Sequence, residues 1–200
     1  MSVFKPVVTS AGVLFVVSDI AEELAPGGVY SEHVVATQFR VGAVLGLAGV
    51  YALALALMAM HRRQADRVGR GALLAALICG FGILLLGGIT WSTVFLDPAA
   101  AGVAPELIDD TPPTILVIGL FLSLAWFGLS WAVYCIVMLR AGVLPVAPVA
   151  VILVGALAAA VAVVPFAMAI FGLGLAWLGL APARLPSPGS LRTPAGSGEQ

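Results

Sequence analysis

Residues 41–60, 72–96, 114–139 and 144–180 form four stretches without a single charged side chain, 20, 25, 26 and 37 residues long. A bilayer hydrocarbon core about 30 Å thick is crossed by about 20 helical residues rising 1.5 Å each. Runs of this length point to a membrane. Composition agrees: 62% of residues are hydrophobic, 10% are charged and mean hydropathy is +1.13, whereas an ordinary soluble domain carries roughly 25% charged residues. The expected fold class is all-α, a polytopic transmembrane helix bundle.

Two regions need further argument. The N-terminus, MSVFKPVVTSAGVLFVV, imitates a signal peptide, with Lys5 followed by a short apolar stretch. No small-x-small cleavage site follows, and SDIAEEL is too acidic for one. It reads as an uncleaved first span over about 7–24, with Asp19, Glu22 and Glu23 at or near the interface. The other region is 144–180, which as one helix would be about 55 Å long, more than tilt can accommodate. Pro165 removes a backbone donor and disfavours helix at Val164. Two short spans, 144–163 and 166–182, joined by a tight apolar turn, are therefore expected. One span followed by a helix lying in the interface, five spans in all, is the alternative.

Six spans (about 7–24, 41–60, 72–96, 114–139, 144–163 and 166–182) make one transmembrane domain over 1–182. Segment 97–113, DPAAAGVAPELIDDTPP, becomes an acidic, proline-bounded loop. Segment 183–200 has the Pro, Gly and Ser content of a disordered tail. No loop is long enough for a separate catalytic module, so any function resides among the helices or in a partner.

Charge segregation sets the orientation. One side of the six-span map receives Lys5, Arg62, Arg63, Arg67, Arg70, Arg140, Arg184 and Arg192; the other receives Asp19, Glu22, Glu23, Glu32, Asp97, Glu106, Asp109 and Asp110, with Arg40 as its only basic residue. Lys and Arg accumulate in cytoplasmic loops, so both termini are expected to be cytoplasmic. A five-span chain would export Arg184 and Arg192. The excess of Arg over Lys, with abundant Ala, Val, Leu and Gly, suits a GC-rich bacterial genome and hence a bacterial plasma membrane.

Helices in lipid associate by close packing, so small residues four apart are informative. Gly42 and Gly46 form a GxxxG that Gly49 continues, Ala76 and Gly80 form a similar pair, and Gly172 and Ala176 another. Packing within one bundle is the plainer reading, and a homodimer seam or a membrane-protein partner the sharper one. Trp91 lies near the outer end of its span, where indoles suit the headgroup region. Trp126, Trp131 and Trp177 lie deeper and read as core filling. Cys79 and Cys135 both sit in apolar runs and read as small packing residues, not as a disulfide or zinc site.

The candidate site is the acidic cluster. Asp19, Glu22 and Glu23 stand at i, i+3 and i+4, on roughly one helical face. Like charges that close need a cation or water opposite them, and ionisable groups in a span usually pair or face a cavity. Arg40, at the outer limit of the second span, is the expected ion-pair partner of Asp19, with Glu22 or Glu23 as alternatives. Such a pair could be a structural clasp. Alternatively Asp19, Glu22, Glu23, Glu32, His33, Gln38 and Arg40 line a vestibule able to bind a cation or relay protons. His33 alone, without fixed ligand spacing, does not define a metal site, and no cofactor is indicated.

The arginine-rich loop after the second span, FLDPAAAGVAPEL at 95–107 and GLGLAWLGLA at 172–181 together resemble a group of small six-span membrane proteins of actinobacterial type. The resemblance implies six spans and transfers no functional residue. Nucleophile elbow, phosphate loop and paired metal motif are all missing from the sequence, so an enzyme is the weakest class. A non-enzymatic binding or accessory membrane protein is expected, with a small transporter or proton- or cation-coupled carrier as the alternative. The partner that the composition implies is the lipid bilayer, and nothing in it suggests nucleic acid.

Overall fold

The computed structural model describes residues 4–64, 69–110, 113–142, 144–161 and 164–181. These form eight helices and no strand: α1 Phe4–Glu23, α2 Tyr30–Val35, α3 Thr37–Gln64, α4 Arg70–Val103, α5 Glu106–Asp109, α6 Thr114–Arg140, α7 Val146–Val161 and α8 Ala167–Leu180. Among the described residues, α1, α3, α4 and α6 are long and apolar enough to cross a membrane, while α7 and α8, at 16 and 14 residues, are apolar but short. The tail 183–200 lies outside the described residues.

The six longer helices close into a ring. Each packs on the next in chain order, and α8 returns to pack on α1, whereas among the described residues no other pair of the six comes as close. Neighbours run antiparallel. Gly42 and Gly46 of α3 meet Glu22 and Ser18 of α1 while Gly49 meets Leu14 and Phe15; Gly155 meets Phe171 while Gly174 meets Ile152. The chain reverses before α8 at Pro165 and Phe166, whose φ of 57° places it in the left-handed region. That bend is the expected turn at Pro165, with α7 and α8 as an antiparallel hairpin.

Backbone contact closes the ring between the first and last helices. A Cβ on Gly172 would lie 2.9 Å from Cβ of Phe15, and one on Gly12 would lie 2.9 Å from Cα of Ala176. Small residues permit this approach, and in lipid such packing replaces the hydrophobic driving force. The Gly42–Gly46 face is covered by α1 of the same chain, so it serves the bundle. Ala76 is buried, but a Cβ on Gly80 would meet only Leu57, at 4.0 Å.

Side chains fill the middle of the ring. The rings of Phe15, Phe127 and Trp131 surround Phe171, with centroids 5.0 Å apart for Trp131–Phe171, 5.4 Å for Phe127–Phe171 and 5.9 Å for Phe15–Phe171, and Tyr134 adjoins Trp131 at 5.8 Å. Trp131 alone of the deeper tryptophans serves the core, since Trp126 and Trp177 are exposed on the perimeter. Cys79 and Cys135 are buried and free.

Two boundaries differ from the sequence reading. Segment 97–113 is not a single loop, because α4 continues through Pro98 to Val103 and α5 follows. Proline there costs one backbone bond, but the alanines after it are the strongest helix formers, and Ala101 packs into a small second core with Val34, Phe39, Ala43, Val94 and Ile108. Segment 25–36 likewise contains α2. At 34 residues α4 is about 51 Å long, so its acidic end projects past a 30 Å hydrocarbon layer.

Replacing Gly172 by Val should lower the Tm in detergent through overpacking worth about 1–3 kcal/mol. Gly88→Val, at a site with no neighbour within 4 Å, should leave the Tm nearly unchanged. Equal melting of the two variants would contradict the tight α1–α8 seam.

Candidate functional site

The acidic end of the bundle is built from the C-terminal turn of α1, the short α2, the start of α3, the end of α4 and α5. Asp19 accepts a 2.7 Å hydrogen bond from the Ala169 N–H, with the Met168 N–H also bonding to it. Both donors belong to the first turn of α8, whose own N-cap residue, Phe166, offers no side-chain cap. The first N–H groups of a helix have no partner within it, and the macrodipole makes that end positive. Asp19 therefore caps α8 from another helix, 150 residues away in sequence.

The expected Asp19–Arg40 ion pair is not formed, nor is any other ion pair of Arg40 among the described residues. Depth was read correctly, because Glu22 lies over Gly42. Azimuth was not. Arg40 precedes Gly42 by two residues, about 200° around the helix, so the face that meets α1 turns the guanidinium outward. Arg40 is exposed and borders a shallow depression of about 370 Å³ with Thr37, Val41, Val44 and Leu45.

The other candidates separate into local duties. Ser18 Oγ donates to Glu22 Oε1 at 3.0 Å, and both side chains pack against the Gly42–Gly46 face. Glu23 and Gln38 are exposed. Glu32 accepts a bond from the Gly28 N–H at 3.2 Å, and the His33 ring stands edge-on to Phe39 at 4.9 Å. Among the described residues, no group of three or more His, Cys, Asp or Glu could hold a metal ion.

Two carboxylates that sequence reasoning left in a loop act as clips. Asp97 accepts from Tyr30 Oη at 2.9 Å and from Ser92 Oγ at 3.2 Å; Asp109 accepts from the Ser31 N–H at 2.8 Å and from Ser31 Oγ at 2.5 Å. Together they tie α2 to α4 and α5 over the ring. Burial, and after it the Asp97 carboxylate, push the Tyr30 hydroxyl above its ordinary value of 10.0, which keeps it a donor. Beside this clip, α4 and α6 enclose a cavity of about 710 Å³, with Tyr30, Ser92, Thr93, Asp97 and Ser123 as its polar lining.

A carboxylate satisfied by helix N–H groups, an acid–serine pair buried between two helices and a hydrogen-bonded cap are the chemistry of assembly. Asp19, Asp97 and Asp109 each accept from a helix other than their own, and Glu22 accepts from Ser18 of its own helix. No family model matches this chain, and neither a curated protein nor a solved structure matches it.

Asp19→Ala should destabilise the protein by about 0.5–2 kcal/mol, the usual cost of losing an N-cap, whereas Asp19→Asn keeps an acceptor and should cost less. Arg40→Ala should stay within about 0.5 kcal/mol, as for an ordinary surface change. Unfolding by sodium dodecyl sulfate in mixed micelles, followed by circular dichroism, measures all three; an Arg40→Ala cost matching that of Asp19→Ala would restore the ion pair.

Proposed function

We propose that this is a non-enzymatic binding or accessory protein of a bacterial plasma membrane, crossing it six times with both termini cytoplasmic. The observation that carries the reading is the aromatic plug. Phe15, Phe127, Trp131, Tyr134 and Phe171 occupy the centre of the ring, and all five are no more than 2% exposed, so large side chains fill the interior among the described residues, which supports a core rather than a passage. The acidic residues favour the same reading, because Asp19 ties α1 to α8 and Glu22 is engaged by Ser18 of its own helix where α1 packs on α3. The charge segregation noted above favours the orientation. The α7–α8 hairpin favours six crossings over five, although helices of about 24 and 21 Å fall short of a 30 Å layer and require local thinning.

One observation favours a carrier instead. Transporters bind substrates where broken helices present their N-termini inside the membrane, and α8 begins in such a position, about 22 Å along α1.

Proteoliposomes decide between the two readings. Sodium, potassium and proton flux should not exceed that of empty vesicles; a flux above that level which Asp19→Asn abolishes would establish the carrier. For the crossing count, Val164→Cys, placed at the exposed turn before α8, should react with a membrane-impermeant maleimide from outside the cell, while the buried Cys79 and Cys135 stay silent. Absence of labelling would favour a hairpin that does not reach the outer surface.

A further inference from the structure

A second groove lies between α3 and α4 at the opposite, arginine-rich end of the ring. Its volume is about 630 Å³, a size typical of ligand sites, and its walls include Leu57 and Met58 of α3 and Leu73, Leu77 and Gly80 of α4, with His61 as its polar residue. The α4 wall runs from Leu73 to Leu84, eleven residues or about 16 Å. That is half of a 30 Å hydrocarbon layer, the depth of one leaflet. The polar end is where a headgroup of that leaflet would lie.

Helical register extends both walls into positive charge. Arg62 stands four residues after Met58 on α3, and Arg70 three residues before Leu73 on α4, so each continues its wall by one turn. Both are exposed, and neither has an ion-pair partner among the described residues. His61 Nδ1, between them and the apolar walls, is buried and lacks a hydrogen-bond partner among the described residues. The openness of the groove is also local: beside Gly80 a Cβ would find only the tip of Leu57, while α3 and α4 are closer further along, where a Cβ on Gly87 would lie 3.5 Å from Val50.

We propose that this groove is a binding site for one anionic phospholipid of the arginine-side leaflet, with an acyl chain along Leu57, Met58, Leu73 and Leu77 and the phosphate between Arg62 and Arg70, within reach of His61. An apolar slot about 16 Å long, with an arginine one helical turn beyond its polar end on each wall and no ion-pair partner for either among the described residues, matches a phosphodiester on a fatty chain. Basic pockets between transmembrane helices bind anionic headgroups for this reason. A zwitterionic lipid would fill the slot equally well but would bring its own cation to the two arginines. The proposal rests on the membrane-spanning reading of the chain.

The test uses the full-length protein, delipidated in detergent and offered dioleoylphosphatidylglycerol or dioleoylphosphatidylcholine, with retained lipid read by native mass spectrometry. The intact protein should retain one phosphatidylglycerol in strong preference to phosphatidylcholine. Arg62→Ala with Arg70→Ala should weaken phosphatidylglycerol retention by up to about thirtyfold, taking about a fivefold gain for each basic residue, and leave phosphatidylcholine unchanged. Gly80→Leu, which fills the slot, should weaken both lipids; Leu77→Trp serves the same purpose if Gly80→Leu is poorly recovered. Arg140→Ala, a basic residue at the same end on α6, should have no effect. Equal retention of the two lipids by the intact protein would overturn the proposal, as would an Arg140→Ala loss equal to that of the double variant, since attraction would then be diffuse. Recovery of the protein in washed membranes is read separately: a protein present there but without lipid preference overturns the lipid site alone, and one lost from that fraction overturns the membrane reading with it.

Discussion

The contact between Asp19 and the start of α8 is the interaction on which the rest of the bundle depends. After Pro165 and the left-handed Phe166 the chain begins a new helix whose first N–H groups have no partner within it. Leaving such groups buried without a partner costs free energy, so an acceptor beside them stabilises the start of α8. Asp19 is that acceptor, bonded to Ala169. The same contact sets the axial position of α8 on α1, which brings Gly12 opposite Gly172 and Ala176. Close packing then seals the ring between the first helix and the last. A carboxylate that looks misplaced in an apolar segment is thus what allows a broken helix to exist in it.

Once α8 is held in this register, the centre of the ring follows. Phe171 is one turn beyond Met168 and Ala169, and it meets Phe15 from α1 and Phe127 and Trp131 from α6. Aromatic pairs of this geometry add about 0.5–1.5 kcal/mol each beyond their burial. The plug is therefore coupled to the Asp19 cap through a single turn of helix, and a change at Asp19 acts on the core of the bundle as well as on its acidic end.

What could be read from the sequence depended on whether one dimension or two were needed. Charge-free length locates a helix along the chain, and the positions of α3, α4 and α6, and the reversal at Pro165, were legible for that reason. Depth was also legible, since counting residues placed the acidic turn of α1 beside the start of α3. Partners were not, because they depend on azimuth. Arg40 and Gly42 share a depth and face opposite ways. Gly172 and Ala176 marked one side of the α1–α8 seam, but Gly12, which packs on them, stands without a second glycine four residues away, so the helix that completes the seam carried no such signal. Pro98 suggested a loop end, whereas the alanines behind it and the small core around Val34 and Phe39 favoured helix. The Tyr30–Asp97 and Ser31–Asp109 clips join residues 67 and 78 apart in sequence, and no local pattern encodes such a distance.

The two ends of the ring solve opposite electrostatic problems. At the acidic end the carboxylates find hydrogen-bond donors within the chain: Asp19 from a helix terminus, Glu22 from Ser18, Asp97 from Tyr30 and Ser92, Asp109 from Ser31. Negative charge there is absorbed by the fold and helps to hold it. At the other end Arg62 and Arg70 are exposed and find no such counterpart among the described residues. Guanidinium groups at a membrane surface attract anionic lipid. Among the described residues, four carboxylates at one end thus have donors from the chain, while Arg62 and Arg70 at the other are exposed. That difference follows from where acceptors and donors lie on neighbouring helices, and the proposed lipid groove draws on the arginine end of it.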